Sequence, residues 1–261
     1  MATSVLSVAA PAGRYERWRE YFLENRGSAG RLPWDDPLLL SAGESRLVAR
    51  AVQQFQLGEY ARGRGLLRRA SACAALAREP EFIPTLTLFI EEEQRHSAML
   101  GRFLDRERIP RLENDWVDGI FRRLRKLAGL EICLTTLVTA EVLAIPFYQA
   151  LRDATRSPLL RAICVRILCD EAAHLNYQAL TIGLVRRPLG ASARKVRAAR
   201  HSILFRCTAL LLWQQHRDVF RAAGWSFGRF REGSRRVFAR LDRQIRLVSC
   251  DGASFEDLRL D

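Results

Sequence analysis

The segment from Ile132 to Tyr148 carries a single charged residue, Glu141, in the middle of an otherwise uncharged run. Whatever buries this segment also buries a carboxylate, and an ionised carboxylate taken out of water costs several kcal/mol unless something neutralises it. The same conflict recurs three more times. Read at helical spacing, Val48, Val52, Phe55, Glu59 and Leu66 share one face, and Leu86, Phe89, Glu93, His96, Leu100 and Phe103 share another. Leu134, Val138, Glu141, Ile145 and Tyr148 form a third stripe, and Leu160, Cys164, Ile167, Glu171, His174 and Gln178 a fourth. Four apolar stripes, each interrupted by an acid, need a shared means of neutralisation.

The chain is long enough, at 261 residues with 48% hydrophobic content, to bury a sizeable core. Its periodicity is helical almost throughout, and no stretch alternates in the manner of a strand. The spacing predicts a short helix at Tyr15–Leu23, a Gly/Pro-rich connector over Gly27–Pro37, and long helices at Glu44–Leu76 and Pro84–Glu107. Asn114 or Asp115 caps a further segment reaching Lys126; an apolar helix follows from Gly129 to Thr155. Ser157-Pro158 starts the next helix, which ends near Arg187. Ser192 caps one running to Ala223, and a last helix covers Ser234–Val248. The expected fold is all-α: an antiparallel four-helix bundle over residues 44–187, preceded by an N-terminal helix and connector (1–43) and followed by basic helices packing on the bundle (188–261).

Glu-x-x-His occurs twice, as Glu93–His96 and Glu171–His174, in a chain with only four histidines. Residues three apart on a helix share a face, so each pair can present a carboxylate and an imidazole to one ion. Glu59 precedes Glu93 by 34 residues and Glu141 precedes Glu171 by 30, so a single Glu followed by Glu-x-x-His appears twice in order. Two divalent or trivalent cations held by Glu59, Glu93, His96, Glu141, Glu171 and His174 would neutralise the buried acids. Carboxylate and imidazole donors without thiolates suit iron or manganese. Glu91 and Glu92 read as a surface or outer pair, and His201 and His216 as packing or surface residues.

Glu92-Glu93-Gln94-Arg95-His96 and Cys169-Asp170-Glu171-Ala172-Ala173-His174-Leu175 resemble the second- and fourth-helix motifs of the ferritin-like di-iron carboxylate superfamily. The local likeness is to acyl-carrier-protein desaturases, tRNA hydroxylases and ribonucleotide reductase small subunits. It covers about residues 44–187. The resemblance implies a ferritin-like bundle, two iron ions (or Fe/Mn, or manganese), and a role for Asp170 in hydrogen-bonding the metal-bound His96.

Such a centre usually activates dioxygen or peroxide with electrons from an external donor. The chain lacks the CxxC module of a rubrerythrin and has no Tyr close after His96, where a radical-generating reductase subunit places one. It is also long for a storage ferritin. Hydroxylation, desaturation or N-oxygenation of a small or carrier-bound substrate remains as the expected activity. A tRNA-modifying hydroxylase and a metal-binding protein without oxygenase chemistry are the alternatives. The formal charge of +13 lies wholly within residues 186–246, which hold 16 Arg/Lys against three acids; the rest of the chain balances. An acidic carrier protein or a tRNA is the expected partner of that segment, and a homodimer is compatible with the pattern. Six cysteines without a CxxC pair, a weak N-terminal apolar run and no 18-residue uncharged apolar segment point to a cytoplasmic protein without a membrane span.

Overall fold

The computed structural model describes residues 13–27, 32–60, 63–115, 119 and 129–251, and no strand occurs among them. The helices are α1 (Arg14–Gly27), α2 (Ala42–Glu59), α3 (Arg64–Ser71), α4 (Phe82–Arg106), α5 (Leu130–Ala154), α6 (Pro158–Arg186), α7 (Ala191–Ala222) and α8 (Phe227–Asp251), with a 3₁₀ turn at Ala74–Leu76. The expected helix from Asn114 or Asp115 to Lys126 falls largely outside the described residues.

Helices α2, α4, α5 and α6 pack around one core, with α2 against α4, α5 against α6, and α4 touching α6. Local chemistry sets several of their ends. Ser41 caps α2 by accepting from the Glu44 amide at 3.2 Å, and Ser157 caps α6 by accepting from the Leu160 amide at 3.2 Å. Glu44 in turn accepts from the Arg156 amide at 2.8 Å, pinning the start of α2 to the corner between α5 and α6.

The expected single helix over 44–76 is broken. Helix α2 ends at Glu59, and Gly63 takes φ +63°, a left-handed conformation that favours glycine. A Cβ at Gly63 would lie 2.5 Å from Cδ1 of Ile90, so this position lies directly against α4. The break leaves Glu59 as the last residue of α2. Helix α5 runs without interruption through Pro146. It is apolar and long enough to cross a membrane by composition, but 78% of its most apolar window is buried inside the fold.

The flanking helices join the core. Tyr15, Trp18 and Phe22 of α1 are buried, and α1 lies on α4. Helix α7 packs on α5 and α2, and α8 on α6 and α5. Gly190, not Ser192, is the N-cap of α7, and α8 begins seven residues before Ser234, with Ser226 accepting from the Arg229 amide at 3.2 Å. Bonds across these contacts are specific: Gln244 donates to Asn176 at 2.7 Å, and Arg186 to Glu131 at 2.8 Å. Of the six free cysteines, Cys133 and Cys164 are buried, whereas Cys169, Cys207 and Cys250 are exposed, so half sit on the surface.

Candidate metal centre

Helical spacing brings Glu93 and His96 of α4, Glu141 of α5, and Glu171 and His174 of α6 to one point in the core, with Glu59 arriving from the end of α2. The two imidazoles lie 5.6 Å apart, centre to centre. Glu171 sits between them: one carboxylate oxygen is 3.8 Å from Nδ1 of His96 and the other 3.8 Å from Nδ1 of His174. Glu59, Glu93, His96 and Glu171 present donor atoms within 4.8 Å of one another, and so do Glu93, Glu141 and His174. Either group could hold a metal ion, and Glu93 belongs to both.

The donor atoms themselves support this reading. Glu93 Oε1, His96 Nδ1, Glu141 Oε2, both carboxylate oxygens of Glu171 and His174 Nδ1 are shielded from solvent and satisfy no hydrogen bond. Although His174 Nδ1 lies 2.9 Å from Glu93 Oε1, the pair is misaligned for one. Buried polar atoms are nearly always paired, and six orphans converging on one spot match a cation's ligand shell. Electrostatics agree. Burial raises the pKa of Glu59 and Glu141 well above the usual carboxylate range, and the neighbouring Glu93 and Glu171 push the same way. Burial alone would depress His174, but the surrounding Glu171, Glu92 and Glu93 outweigh it and hold the imidazole well above its ordinary value. Without a cation the cluster therefore keeps protons in place of one.

The outer nitrogens of both imidazoles are anchored across the helix pair. His96 Nε2 lies 3.0 Å from Oδ2 of Asp170, and His174 Nε2 lies 3.0 Å from Oε2 of Glu92. Each carboxylate immediately precedes a Glu of the cluster on its own helix and anchors the His of the other. The reading of Glu91 and Glu92 as one outer pair is thus divided. Glu91 pairs with Arg26 at the surface, while Glu92 is fully buried. The signal was present, because Glu92-Glu93 and Asp170-Glu171 are the same acidic doublet.

Helix α1 completes the arrangement. Asn25 Nδ2 donates to Glu92 Oε1 at 2.7 Å and to Asp170 Oδ1 at 2.8 Å, while Arg166 donates to Asn25 Oδ1 and Asp170 Oδ1, both at 2.8 Å. Phe89 stacks edge-on to His174 at 4.8 Å. On the opposite side, the buried Tyr148 hydroxyl donates to Glu59 Oε1 at 3.4 Å. No local sequence signal marks Asn25, and the stripe that Tyr148 shares with Glu141 does not reveal its partner Glu59 on another helix.

A pocket of about 170 Å³ opens onto the cluster between α2, α5 and α7. Glu59, Glu93, Glu141 and Glu171 form its floor; Phe55, Leu137, Leu143, Leu211 and Leu212 are among its apolar walls. His216, expected to be a packing or surface residue, is buried and lines this pocket. The helix departs from helical geometry there (φ −120°, ψ 21°), so α7 is distorted where it borders the site. His201 is buried 3.2 Å from Thr139 and lies outside the cluster.

No family model matches the chain, and neither a curated protein nor a solved structure matches it.

Proposed function

We propose that this chain is a ferritin-like, non-haem dinuclear metal oxidase or oxygenase that binds two iron ions, or an Fe/Mn or manganese pair. Its reaction is oxidation of a small or carrier-bound substrate by hydroxylation, desaturation or N-oxygenation. The observation that carries this reading is the convergence of six unpaired, buried donor atoms on the floor of an apolar pocket. Bound iron would supply dioxygen activation, which a carboxylate-rich, thiolate-free ligand set suits.

The residues have distinct tasks. Glu59, Glu93, His96 and Glu171 form one ligand group and Glu93, Glu141 and His174 the other, with Glu93 and Glu171 placed to be shared. Asp170 and Glu92 hold the Nε2 edges, so that Nδ1 of each ring faces inward. The apolar walls exclude water from the side where substrate and oxidant approach. Electrons come from an external donor, in keeping with a cytoplasmic setting. The exposed cations of α7 and α8, including Lys195, Arg200, Arg206, Arg235 and Arg240, offer a docking face for an acidic carrier protein. A tRNA-modifying hydroxylase is the second reading and rests on that same charge; tRNA affinity falling steeply with salt would favour it.

Metal analysis after anaerobic iron loading tests the centre. Two ions per chain are expected, with loss on Glu141→Ala; fewer than one, unchanged by that substitution, overturns it. Mixing the reduced, loaded protein with oxygen should then give a transient absorbance. A loaded protein that gives none is a metal-binding protein without oxygenase chemistry.

A further inference from the structure

The pocket contains a polar feature that neither the metal nor the packing uses. Gln54 lines its wall and donates from Nε2 to Asp115 Oδ2 at 2.9 Å. A carboxylate only accepts, so this bond fixes the orientation of the carboxamide and leaves Oε1 as the free acceptor. That oxygen is shielded from solvent and has no hydrogen-bond partner. A buried acceptor left unpaired is unfavourable, and a ligand that brings a donor removes that penalty.

The space around it is limited. At about 170 Å³ the pocket is close to an apolar cavity of about 150 Å³ known to admit benzene, so it has room for one ring or a short alkyl group. Small residues create the room: Gly58, Ala140 and Ala144 line it, and a Cβ added at Gly58 would meet nothing within 4 Å. Charge selects as well. Burial, aided by Arg50, lowers the pKa of His216 to about 4, so the imidazole is neutral at physiological pH. Arg50 itself is paired with Asp115. Among the described lining residues no free cation is present to balance an anionic ligand.

We propose that this pocket binds a compact, apolar, non-anionic molecule about one ring in size, whose hydroxyl or amine donates a hydrogen bond to Gln54. The lining of α7, through Thr208, Leu211, Leu212 and Gln215, makes the basic C-terminal segment part of the binding site. Calling the ligand a substrate rests on the metal-oxidase reading; its binding does not.

Calorimetric titration of the full-length chain, zinc-loaded and metal-free, with p-cresol, p-toluidine, toluene and 2-naphthol separates the two. At least one of p-cresol and p-toluidine should bind tenfold or more tightly than toluene, and the better of the two assigns the donor as hydroxyl or amine. The two-ring 2-naphthol should bind at least tenfold more weakly than p-cresol. Gly58→Leu and, separately, Ala144→Leu should abolish probe binding while zinc uptake stays at the wild-type level. Gln54→Leu should reduce the donor probes to the affinity of toluene. Equal affinity for toluene and both donor probes, or unchanged binding in both filled-pocket variants, overturns the proposal. Failure to take up zinc at Glu141 and its neighbours overturns the metal reading instead, and the metal-free titrations still decide the pocket.

Discussion

Glu92 Oε2 and His174 Nε2 meet at 3.0 Å between α4 and α6, the reciprocal of the Asp170–His96 contact between the same two helices. Each helix thereby orients the other helix's imidazole. Loss of such an outer carboxylate typically weakens metal binding 10–100-fold. Glu92→Ala should lower metal affinity by about that factor, whereas Glu91→Ala, on the neighbouring surface residue, should leave it unchanged. Metal titration of the two variants side by side decides, and equal affinities in both would remove Glu92 from the site.

Asn25 joins the two outer carboxylates through one amide nitrogen. Replacing it leaves both without that donor in a buried setting, where hydrogen bonds to charged groups contribute about 1.5–3 kcal/mol each. Asn25→Leu should destabilise the chain by about 2–4 kcal/mol in urea unfolding, and the exposed neighbour Glu24→Ala by less than about 0.5 kcal/mol. A neutral Asn25→Leu would show that the other contacts of α1, among them the buried Tyr15, Trp18 and Phe22, hold it without this amide.

The centre is a destabilising feature when no cation fills it. Both oxygens of Glu171 are buried and unpaired, and burial raises its pKa despite the nearby His174. A buried polar group left unpaired costs about 1–3 kcal/mol, a cost that an apolar side chain of similar size does not carry. Glu171→Leu should therefore raise the melting temperature of the metal-free chain and abolish the further rise that metal gives the wild type. A lower melting temperature for the metal-free variant would contradict the assignment of Glu171 as an uncompensated ligand.

His201 and His216 set an acid limit. Burial, with Arg186 nearby, lowers His201 to about 3, and burial, with Arg50 nearby, lowers His216 to about 4. An unfolded histidine titrates near 6.5, so between that pH and the folded values the unfolded chain binds more protons. Their contribution to stability is fully present above pH 6.5 and is lost as the pH falls below it. The raised carboxylates Glu59, Glu141 and Glu171 act in the opposite sense over the same range, so the histidine contribution is read as the change in the slope of urea midpoint against pH, between pH 6.5 and pH 4, when a histidine is replaced. His201→Asn should reduce the slope; an identical slope in the variant would exclude His201 as its source.

Gly183 lets α8 approach α6, because a Cβ there would stand 2.5 Å from Val248 Cβ. Overpacking of this kind usually costs about 1–3 kcal/mol. Gly183→Ala should show that loss in urea unfolding, and truncating the opposing side chain in Gly183→Ala/Val248→Ala should recover part of it. Additive losses in the double variant would mean that the two positions do not touch.

Features that repeat within one helix are legible from the residues alone. The stripes containing Glu93 and His96, or Glu171 and His174, follow from residues three and four apart, and the Ser157-Pro158 start of α6 follows from its own capping chemistry. The acidic doublets at Glu92-Glu93 and Asp170-Glu171 were equally legible. The end of α2 at Glu59 emerged only with the fold, in which Gly63 packs against Ile90 of another helix and leaves no room for a Cβ. Only the tertiary structure brought Asn25 to Asp170, 145 residues away, and the Tyr148 hydroxyl to Glu59. Charge arithmetic assigned the C-terminal segment to docking alone, yet Leu211, Leu212 and His216 wall the pocket over the carboxylates. Helical periodicity reports which face of a helix is buried; it contains no information on which other helix lies against that face, and the pocket exists only at such a junction.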